Sequence, residues 1–153
     1  MLLKKYEGTK SGIKTFKVTQ ERLSAFARAV GVSSDAAPAL SHEVPAHALD
    51  TRWLPTFLTL FREGDFELLT LMGVELRSVL HGEQEYEYDG YLKAGDEVSY
   101  QSIVAHITEK ESKKGALHFI ILETDFHLVG KESEAHHKVG TARSTIVYRR
   151  AAS

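Results

Sequence analysis

Two short clusters of histidine and carboxylate side chains are the residues of this chain best suited to move protons. Asp35, His42 and His47 lie in one irregular stretch, and His81 and Glu83 lie two residues apart near the middle of the chain. A carboxylate and an imidazole that reach the same substrate can act as general base and general acid near neutral pH. Either cluster could serve acid–base chemistry, although solvated surface residues have the same sequence signature.

The chain lacks the sequence motifs of metal sites, nucleotide-binding loops and serine hydrolases. The chain has eight histidines and no cysteine, and the pairs His42/His47 and His136/His137 lack the i, i+4 spacing that places two ligands on one helix face. It also has no glycine-rich phosphate loop and no Gly-x-Ser-x-Gly elbow. The sequence therefore predicts no metal site and no cofactor.

Composition and charge narrow the possible partners. The 153 residues fit one domain of ordinary size, and 19 basic and 21 acidic side chains leave a formal net charge of −2. No basic footprint of the kind that binds nucleic acid is present, and no apolar run approaches the roughly 18 residues that span a bilayer. The absence of cysteine fits a reducing compartment. We expect a soluble cytoplasmic protein that binds neither nucleic acid nor membrane.

The first third of the chain combines a short strand, one amphipathic helix and a long irregular stretch. Alternating side chains predict a strand that ends at Thr19, and Thr19 is also a suitable N-cap for the helix that follows. Apolar side chains at helical spacing run from Leu23 to Val30, and Gly31 is placed to end the helix. Residues 32–52 predict a loop, and loops of that length inside a compact domain are usually functional or mobile.

The rest of the sequence predicts a buried helix followed by a sheet. Pro55 suits a first helical turn, and the apolar residues from there to Gly73 predict a helix buried on most sides, interrupted near Gly64. After Gly82 the side chains alternate, which predicts four antiparallel strands with residues 117–129 at the centre. Helices followed by a run of strands indicate an α+β fold with the helix packed on a curled sheet.

Several sequence segments, in matching order and spacing, resemble the MaoC-like dehydratase family. The longest is VLHGEQEYEY at 79–88, which leads into LKAGDE at 92–97. The others are FARAVG at 26–31, LPTF at 54–57 and TARST at 141–145. The resemblance covers nearly the whole chain and is closest to the family's N-terminal half-domain type. It implies a single hot-dog domain over residues 1–153, in which a curled antiparallel β-sheet wraps around a long apolar helix.

The same resemblance implies a reaction and the loss of its catalytic residues. Active members of the family are hydro-lyases that add water to, or remove it from, (R)-3-hydroxyacyl thioesters of CoA or acyl carrier protein. Their aspartate and histidine, five residues apart after the first helix, correspond here to Val32 and Ala37, and neither side chain can carry a proton. A shifted register offers Asp35 and His42 as substitutes, but these are seven residues apart.

The leading hypothesis is a non-catalytic subunit that binds an acyl thioester and pairs with a catalytic hot-dog partner. Its candidate substrate-binding residues are Pro55, Phe57, His81 and Glu83. Because a hot dog of this size leaves a sheet edge open, we expect a homo-oligomer or a hetero-oligomer of hot-dog domains.

Two alternatives stay open from the residues alone. One is an enzyme that acts by itself, either as a hydratase with displaced Asp35 and His42 or as a thioesterase. A thioesterase would need a carboxylate near the long helix, and Glu63, Asp65 and Glu67 qualify by position. The other is a regulatory hot dog that binds acyl-CoA without turnover.

Overall fold

The computed structural model describes residues 3–32, 49–111, 115–130 and 137–149. These residues form one antiparallel sheet and two α-helices, which confirms the predicted α+β class. The strands are β1 (Lys14–Lys17), β2 (Val79–Tyr88), β3 (Glu97–Lys110), β4 (Leu117–Leu128) and β5 (His137–Arg149). The helices are α1 (Gln20–Ala29) and α2 (Glu63–Leu71), and 3₁₀ turns cover Lys4–Tyr6, Phe57–Leu60 and Leu76–Ser78. In the sheet the order is β1-β3-β4-β5-β2, so β4 is central, as predicted, and β1 and β2 are the edges.

The first helix, α1, has the boundaries that its sequence predicts. The Thr19 hydroxyl accepts a hydrogen bond from the Arg22 amide at 3.2 Å, which satisfies one free N–H group of the first turn. Leu23 and Phe26 face the core. Gly31 follows the helix with a φ of +77°, a left-handed conformation that glycine adopts without strain. The helix therefore has one buried apolar stripe and one exposed stripe.

The long apolar helix predicted after Pro55 consists of two shorter pieces. Phe57–Leu60 forms a 3₁₀ turn, and α2 follows from Glu63 with nine residues. Gly64, expected to interrupt the helix, lies instead in its first turn. A Cβ atom on Gly64 would lie 2.5 Å from the Ser102 hydroxyl oxygen, so glycine permits close packing of α2 on β3. Glycine is required here by the close approach of a neighbouring strand. A local sequence pattern does not report that contact.

Two adjoining apolar clusters fill one face of the sheet. The first joins α1 and the 3₁₀ turn to the sheet, and its larger members include Phe16, Leu23, Phe57, Tyr100 and Phe126. The second joins α2 to the sheet, and it includes Leu68, Leu69, Ile107, Ile120 and Ile146. The turn and α2 together therefore occupy the place of the single predicted helix.

An irregularity near the start of β2 explains why the strand begins earlier than the alternation predicts. The strand starts at Val79, and its pairing with β5 shifts register between His81 and Glu83. One extra residue in a strand breaks the period of two. A Cβ atom on Gly82 would lie 3.1 Å from a methyl carbon of Val147, so the backbones also approach closely here. Because of this irregularity, the alternation of side chains after Gly82 does not extend back to the first residues of the strand.

Replacing Phe57 with alanine should strongly destabilise the protein. Phe57 is fully buried, and its ring lies edge-on to Phe26 and Phe61, with centroids 5.5 and 5.6 Å away. Removing a buried phenylalanine side chain costs about 3–5 kcal/mol, which urea denaturation measures directly. The control is Leu60→Ala in the same turn, where the side chain is 47% exposed and we expect a loss of about 1 kcal/mol or less. Equal stability of the two variants would contradict the assigned core.

Replacing Gly64 with alanine should also destabilise the protein, even though alanine is the better helix former by about 1 kcal/mol. The added carbon would lie 2.5 Å from the Ser102 hydroxyl and 2.9 Å from the Ser11 hydroxyl, so α2 or β3 must move. We expect a net loss of about 1–3 kcal/mol in urea denaturation. Gly90→Ala is the matched control, because an added Cβ there meets nothing within 4 Å. A Gly64→Ala variant as stable as this control would refute the close packing of α2.

Candidate functional site

A groove of about 710 Å³ opens between β1, α1 and the segment that leads into α2. Its lining comprises Thr15, Phe16 and Lys17 of β1, Arg22, Ala25, Phe26 and Ala29 of α1, and Leu60, Phe61 and Glu63. The volume falls within the range of about 300–1,000 Å³ that small-molecule sites occupy. In the described part of the chain this groove is the best candidate for a ligand site.

Three aromatic rings form the floor of the groove. Phe16, Phe26 and Phe61 are 8%, 9% and 6% exposed, and Phe16 stacks on Phe61 with the ring planes 8° apart. Phe16 points inward in the alternation of β1, and Phe26 lies on the buried stripe of α1. The local patterns of two elements thus bring aromatic side chains to one place. A floor of this kind favours a hydrocarbon ligand.

Small and charged side chains form the rim of the groove. Arg22, Ala25 and Ala29 lie at i, i+3 and i+7 on α1, and the two alanines leave space above the floor. The Arg22 guanidinium donates a hydrogen bond to the Lys17 carbonyl oxygen at 3.4 Å, which holds the arginine beside β1. Lys17 and Arg22 give the rim two cations, and Glu63 gives it one anion. The rim therefore favours a ligand with a negatively charged group.

A second cluster is polar and lies buried between α2 and the sheet. Asp65 is 3% exposed; Thr124 donates a hydrogen bond to its Oδ1 at 3.2 Å, and Arg62 donates to its Oδ2 at 3.3 Å. The Ser144 hydroxyl lies 3.3 Å from Oδ2 and 2.8 Å from Gln84 Oε1. A buried carboxylate is tolerated when it is paired and hydrogen-bonded, and these contacts meet that requirement. Asp65 therefore fastens α2 to β4 and β5.

The three carboxylates considered for thioester hydrolysis have different surroundings. Asp65 borders a crevice of about 10 Å³, room for about one water molecule, and its oxygens already have partners. Glu67 accepts hydrogen bonds from Lys14 and from the Gly12 amide, which hold the pKa of Glu67 below its usual range. Glu63 is exposed and borders the groove. Of the three, Glu63 adjoins a space of ligand size.

Two of the predicted substrate-binding residues, Pro55 and Phe57, lie just before α2. Phe57 belongs to the core, and Pro55 is exposed, with its carbonyl oxygen accepting a hydrogen bond from the Tyr88 hydroxyl. Burial raises the pKa of that Tyr88 hydroxyl. The turn before Pro55 is held by the Asp50 carboxylate, which binds the Arg52 guanidinium at 2.6 Å. Hydrogen bonds from Arg52 lower the pKa of Asp50.

The other two, His81 and Glu83, are exposed on the edge strand β2. Tyr88, which reaches Pro55, is seven residues further along this strand than His81, which corresponds to about 23 Å. The edge strand β2 also lies across the sheet from β1 and the groove. The four predicted residues therefore do not meet in one place, and none of them lines the groove.

Of the positions considered for the catalytic aspartate and histidine, the structure describes only Val32. Asp35, Ala37 and His42 lie outside the described residues. Val32 lies just after α1, where its amide donates a hydrogen bond to the Ala27 carbonyl oxygen at 2.8 Å. Its side chain is 37% exposed.

Within the described ranges, no three histidine, aspartate or glutamate side chains are arranged to bind a metal ion. No helix within those ranges is long and apolar enough to cross a membrane.

Sequence reasoning missed the groove because its walls come from segments far apart in the chain. Phe16, Phe26 and Phe61 each have the signature of an ordinary core residue. A local signal was present on α1, where Ala25 and Ala29 place two small side chains four residues apart on an exposed stripe. Small residues on an exposed helix face leave room for a ligand. The sequence does not indicate that Phe61 forms the opposing wall, because that contact exists only in the folded chain.

One protein-family model matches most of the chain. The model describes a FAS1-like, dehydratase domain region, and it matches residues 6–128. A comparison with curated protein sequences found no match to the chain.

Three solved structures, two of them described as dehydratases, share the fold at low sequence identity. The HadBC (3R-hydroxyacyl-ACP dehydratase) complex from Mycobacterium tuberculosis is 17% identical, with a TM-score of 0.60 over 93% of this chain and 96% of that chain. A MaoC-like dehydratase is 21% identical, with a TM-score of 0.63 over 97% of this chain but 44% of its own length. The ChsH1–ChsH2 complex from Mycobacterium tuberculosis is 20% identical, with a TM-score of 0.56 over 99% and 89%.

These likenesses confirm the fold that the sequence resemblance implied. The antiparallel sheet with α2 packed on one face corresponds to the hot-dog architecture of these dehydratases. The family model covers well over half of the residues, including both helices and β1 to β4. The chain belongs to the FAS1-like dehydratase domain family, with the hot-dog fold of the MaoC-like dehydratases.

Proposed function

We propose that this chain is an acyl-thioester-binding subunit of a MaoC-like dehydratase and that a partner chain supplies the catalytic aspartate and histidine. The groove between β1 and α1 is the observation that carries the proposal. Its ligand is the thioester of a fatty acyl chain with CoA or acyl carrier protein.

The groove has the two kinds of surface that such a ligand requires. The aromatic floor of Phe16, Phe26 and Phe61 accepts the hydrocarbon chain, whose transfer from water is favourable by about 0.8 kcal/mol for each buried CH₂ group. The cationic rim of Lys17 and Arg22 is suited to the phosphate groups of CoA or of a phosphopantetheine arm. An apolar tail and a phosphorylated head could therefore bind along one groove.

The non-catalytic role follows from the side chains available to move protons. Among the residues that the structure describes, the titratable groups that line the groove are Lys17, Arg22 and Glu63, which include no imidazole. The family resemblance assigns the catalytic aspartate and histidine to Val32 and Ala37, which have hydrocarbon side chains. Hydration of an enoyl thioester needs a base to activate water and an acid to protonate the α-carbon. A second chain would supply both groups.

The partner that fits this proposal is another hot-dog domain. Two of the structural relatives, HadBC and ChsH1–ChsH2, are described as complexes. The MaoC-like dehydratase relative is long enough to contain a second region beside the part that this chain matches. Both arrangements are consistent with a chain of this length that acts together with a second hot dog.

A thioesterase is the second candidate, because Glu63 is a carboxylate at the rim of the groove. A carboxylate in that position could activate water for attack on a thioester carbonyl. The same assay separates the two functions, since thioester hydrolysis releases a free thiol and hydration does not.

The purified chain should bind (E)-enoyl-CoA without converting it. We expect a series of acyl lengths to raise the melting temperature, while ultraviolet absorbance shows no loss of the enoyl group and a thiol reagent detects no free CoA. Loss of the enoyl signal without thiol release would contradict the non-catalytic role. Asp35→Ala and His42→Ala would then identify the acid and base by losses of about 100-fold or more. Thiol release would instead favour the thioesterase and Glu63.

Filling or neutralising the groove should weaken binding in two separable ways. Ala25→Phe should block the acyl chain and reduce the affinity for long-chain acyl-CoA by about tenfold or more, because the added ring occupies the space above the floor. Arg22→Gln should weaken acyl-CoA by about tenfold but leave an acyl-N-acetylcysteamine thioester unaffected, since that ligand has no phosphate. Isothermal titration calorimetry measures both effects.

The matched control for the groove is Ala94→Phe. Ala94 is exposed in the turn before β3 and does not line the groove. Its substitution should leave both affinities unchanged. Unchanged binding by Ala25→Phe as well would move the ligand site elsewhere.

A further inference from the structure

Phe61 separates two cavities of different size. On one side it lines the groove of about 710 Å³ between β1 and α1, and on the other side it lines the crevice of about 10 Å³ beside Asp65. Among residues 3–32, 49–111, 115–130 and 137–149, Phe61 alone lines both. It is therefore the wall that lies between the groove and the crevice.

Three aromatic neighbours hold the Phe61 ring in place. The ring stacks on Phe16 with the ring planes 8° apart, and the ring centroids of Phe57 and Tyr100 lie 5.6 and 6.2 Å away. Phe57 and Tyr100 are fully buried. Side chains in close-packed interiors have little free volume into which a ring can turn. A ligand that reaches the floor of the groove therefore meets a fixed wall.

The two sides of this wall differ in chemistry. On the groove side, Phe16 and Phe26 complete the aromatic floor. On the crevice side, the Ser144 hydroxyl lies 3.3 Å from Asp65 Oδ2 and 2.8 Å from Gln84 Oε1. The single hydroxyl proton serves one acceptor at a time, and a carboxylate or amide oxygen accepts more than one hydrogen bond. The floor thus favours an apolar group, whereas the crevice has acceptors for a further donor.

An acyl chain that enters the groove from its rim ends at this wall. Each CH₂ group buried on the way should tighten binding about fourfold, the equivalent of about 0.8 kcal/mol. Once the chain end touches the floor, further carbons have no apolar space to enter. A hydroxyl group at the chain end would be buried against aromatic rings without a strong acceptor, which should weaken binding about tenfold or more.

We propose that Phe61 is a specificity-determining residue of the groove, which limits the length of the acyl chain and requires its far end to be apolar. This inference rests on the proposed function, because it takes the groove as the acyl site. Phe61 limits the length by forming the floor at a fixed depth. It selects the end group by separating the chain end from the acceptors of Asp65 and Gln84. The ligand class is a methyl-ended acyl chain, and ω-hydroxyacyl chains are excluded.

Isothermal titration calorimetry with two series of CoA thioesters tests the proposal on the original chain. One series has saturated acyl chains of increasing length, and the other has the same chains with a terminal hydroxyl group. The affinity for the saturated chains should rise about fourfold per CH₂ group and then reach a plateau. At the plateau length, the hydroxylated chain should bind about tenfold or more weakly than the methyl-ended chain.

Removing the wall should change both properties together. In Phe61→Ala the groove and the crevice join, so the plateau should move to longer chains. The hydroxylated chain should then bind at least as tightly as the methyl-ended chain of the same length, because its hydroxyl group reaches Asp65 and Gln84. Since the loss of a buried phenylalanine destabilises a fold, the milder Phe61→Leu is the second variant, with smaller shifts in the same directions.

The matched control is Phe26→Leu, because Phe26 belongs to the same floor but borders the groove alone. The two rings are buried to a similar degree, with 9% of Phe26 and 6% of Phe61 exposed. Phe26→Leu enlarges the groove without opening the crevice. The plateau should move to longer chains, while the hydroxylated chain should still bind about tenfold or more weakly.

Three results would overturn the proposal and leave the proposed function intact. The first is that hydroxylated and methyl-ended chains bind the original chain equally well, which needs no variant. The second is a plateau length that remains the same in both Phe61 variants, although circular dichroism shows them folded. The third is an end-group preference that responds to Phe61→Leu no more than to Phe26→Leu. Absence of binding to the original chain at every length would instead overturn the proposed function, and this inference with it.

Discussion

The Asp65 carboxylate joins α2 to the sheet, and the packing around it depends on this contact. Thr124 donates to the carboxylate from β4, the Ser144 hydroxyl lies beside it on β5, and Ser102 of β3 hydrogen-bonds Thr124 at 2.7 Å. Three neighbouring strands are thus tied to one turn of helix. The turn can approach this closely because Gly64 has no side chain between α2 and β3. Since a buried charge is costly without its partners, the contact specifies one position of α2 on the sheet.

That position of α2 also builds the groove. The chain enters α2 from the 3₁₀ turn, so a helix seated on β3 to β5 leaves the preceding segment beside β1 and α1. Phe61 then stacks on Phe16, and Glu63 reaches the rim. The groove lies near one edge strand, β1, whereas the other edge strand, β2, lies across the sheet. The depth and the charge of the groove therefore depend on where α2 is seated.

Local sequence information predicted the elements far better than the site. Thr19 and Gly31 bound α1 as expected, because capping and chain reversal depend on a few adjacent residues. The candidate site was less predictable. Phe57, a candidate substrate-binding residue, is part of the core, and His81 lies on an exposed strand rather than beside a pocket. Which apolar residue faces a ligand and which faces the core depends on the opposing wall, and here that wall comes from another segment.

The sequence by itself determined the α+β class, the central place of β4 and the family, because periodicity and short motifs are properties of neighbouring residues. Only the tertiary structure decided that the apolar run after Pro55 becomes a turn and a short helix. It also decided that Gly64 serves packing and that Phe16, Phe26 and Phe61 form a single floor. The physical reason is distance along the chain: Gly64 meets Ser102, and Phe16 meets Phe61, through contacts that no local pattern records.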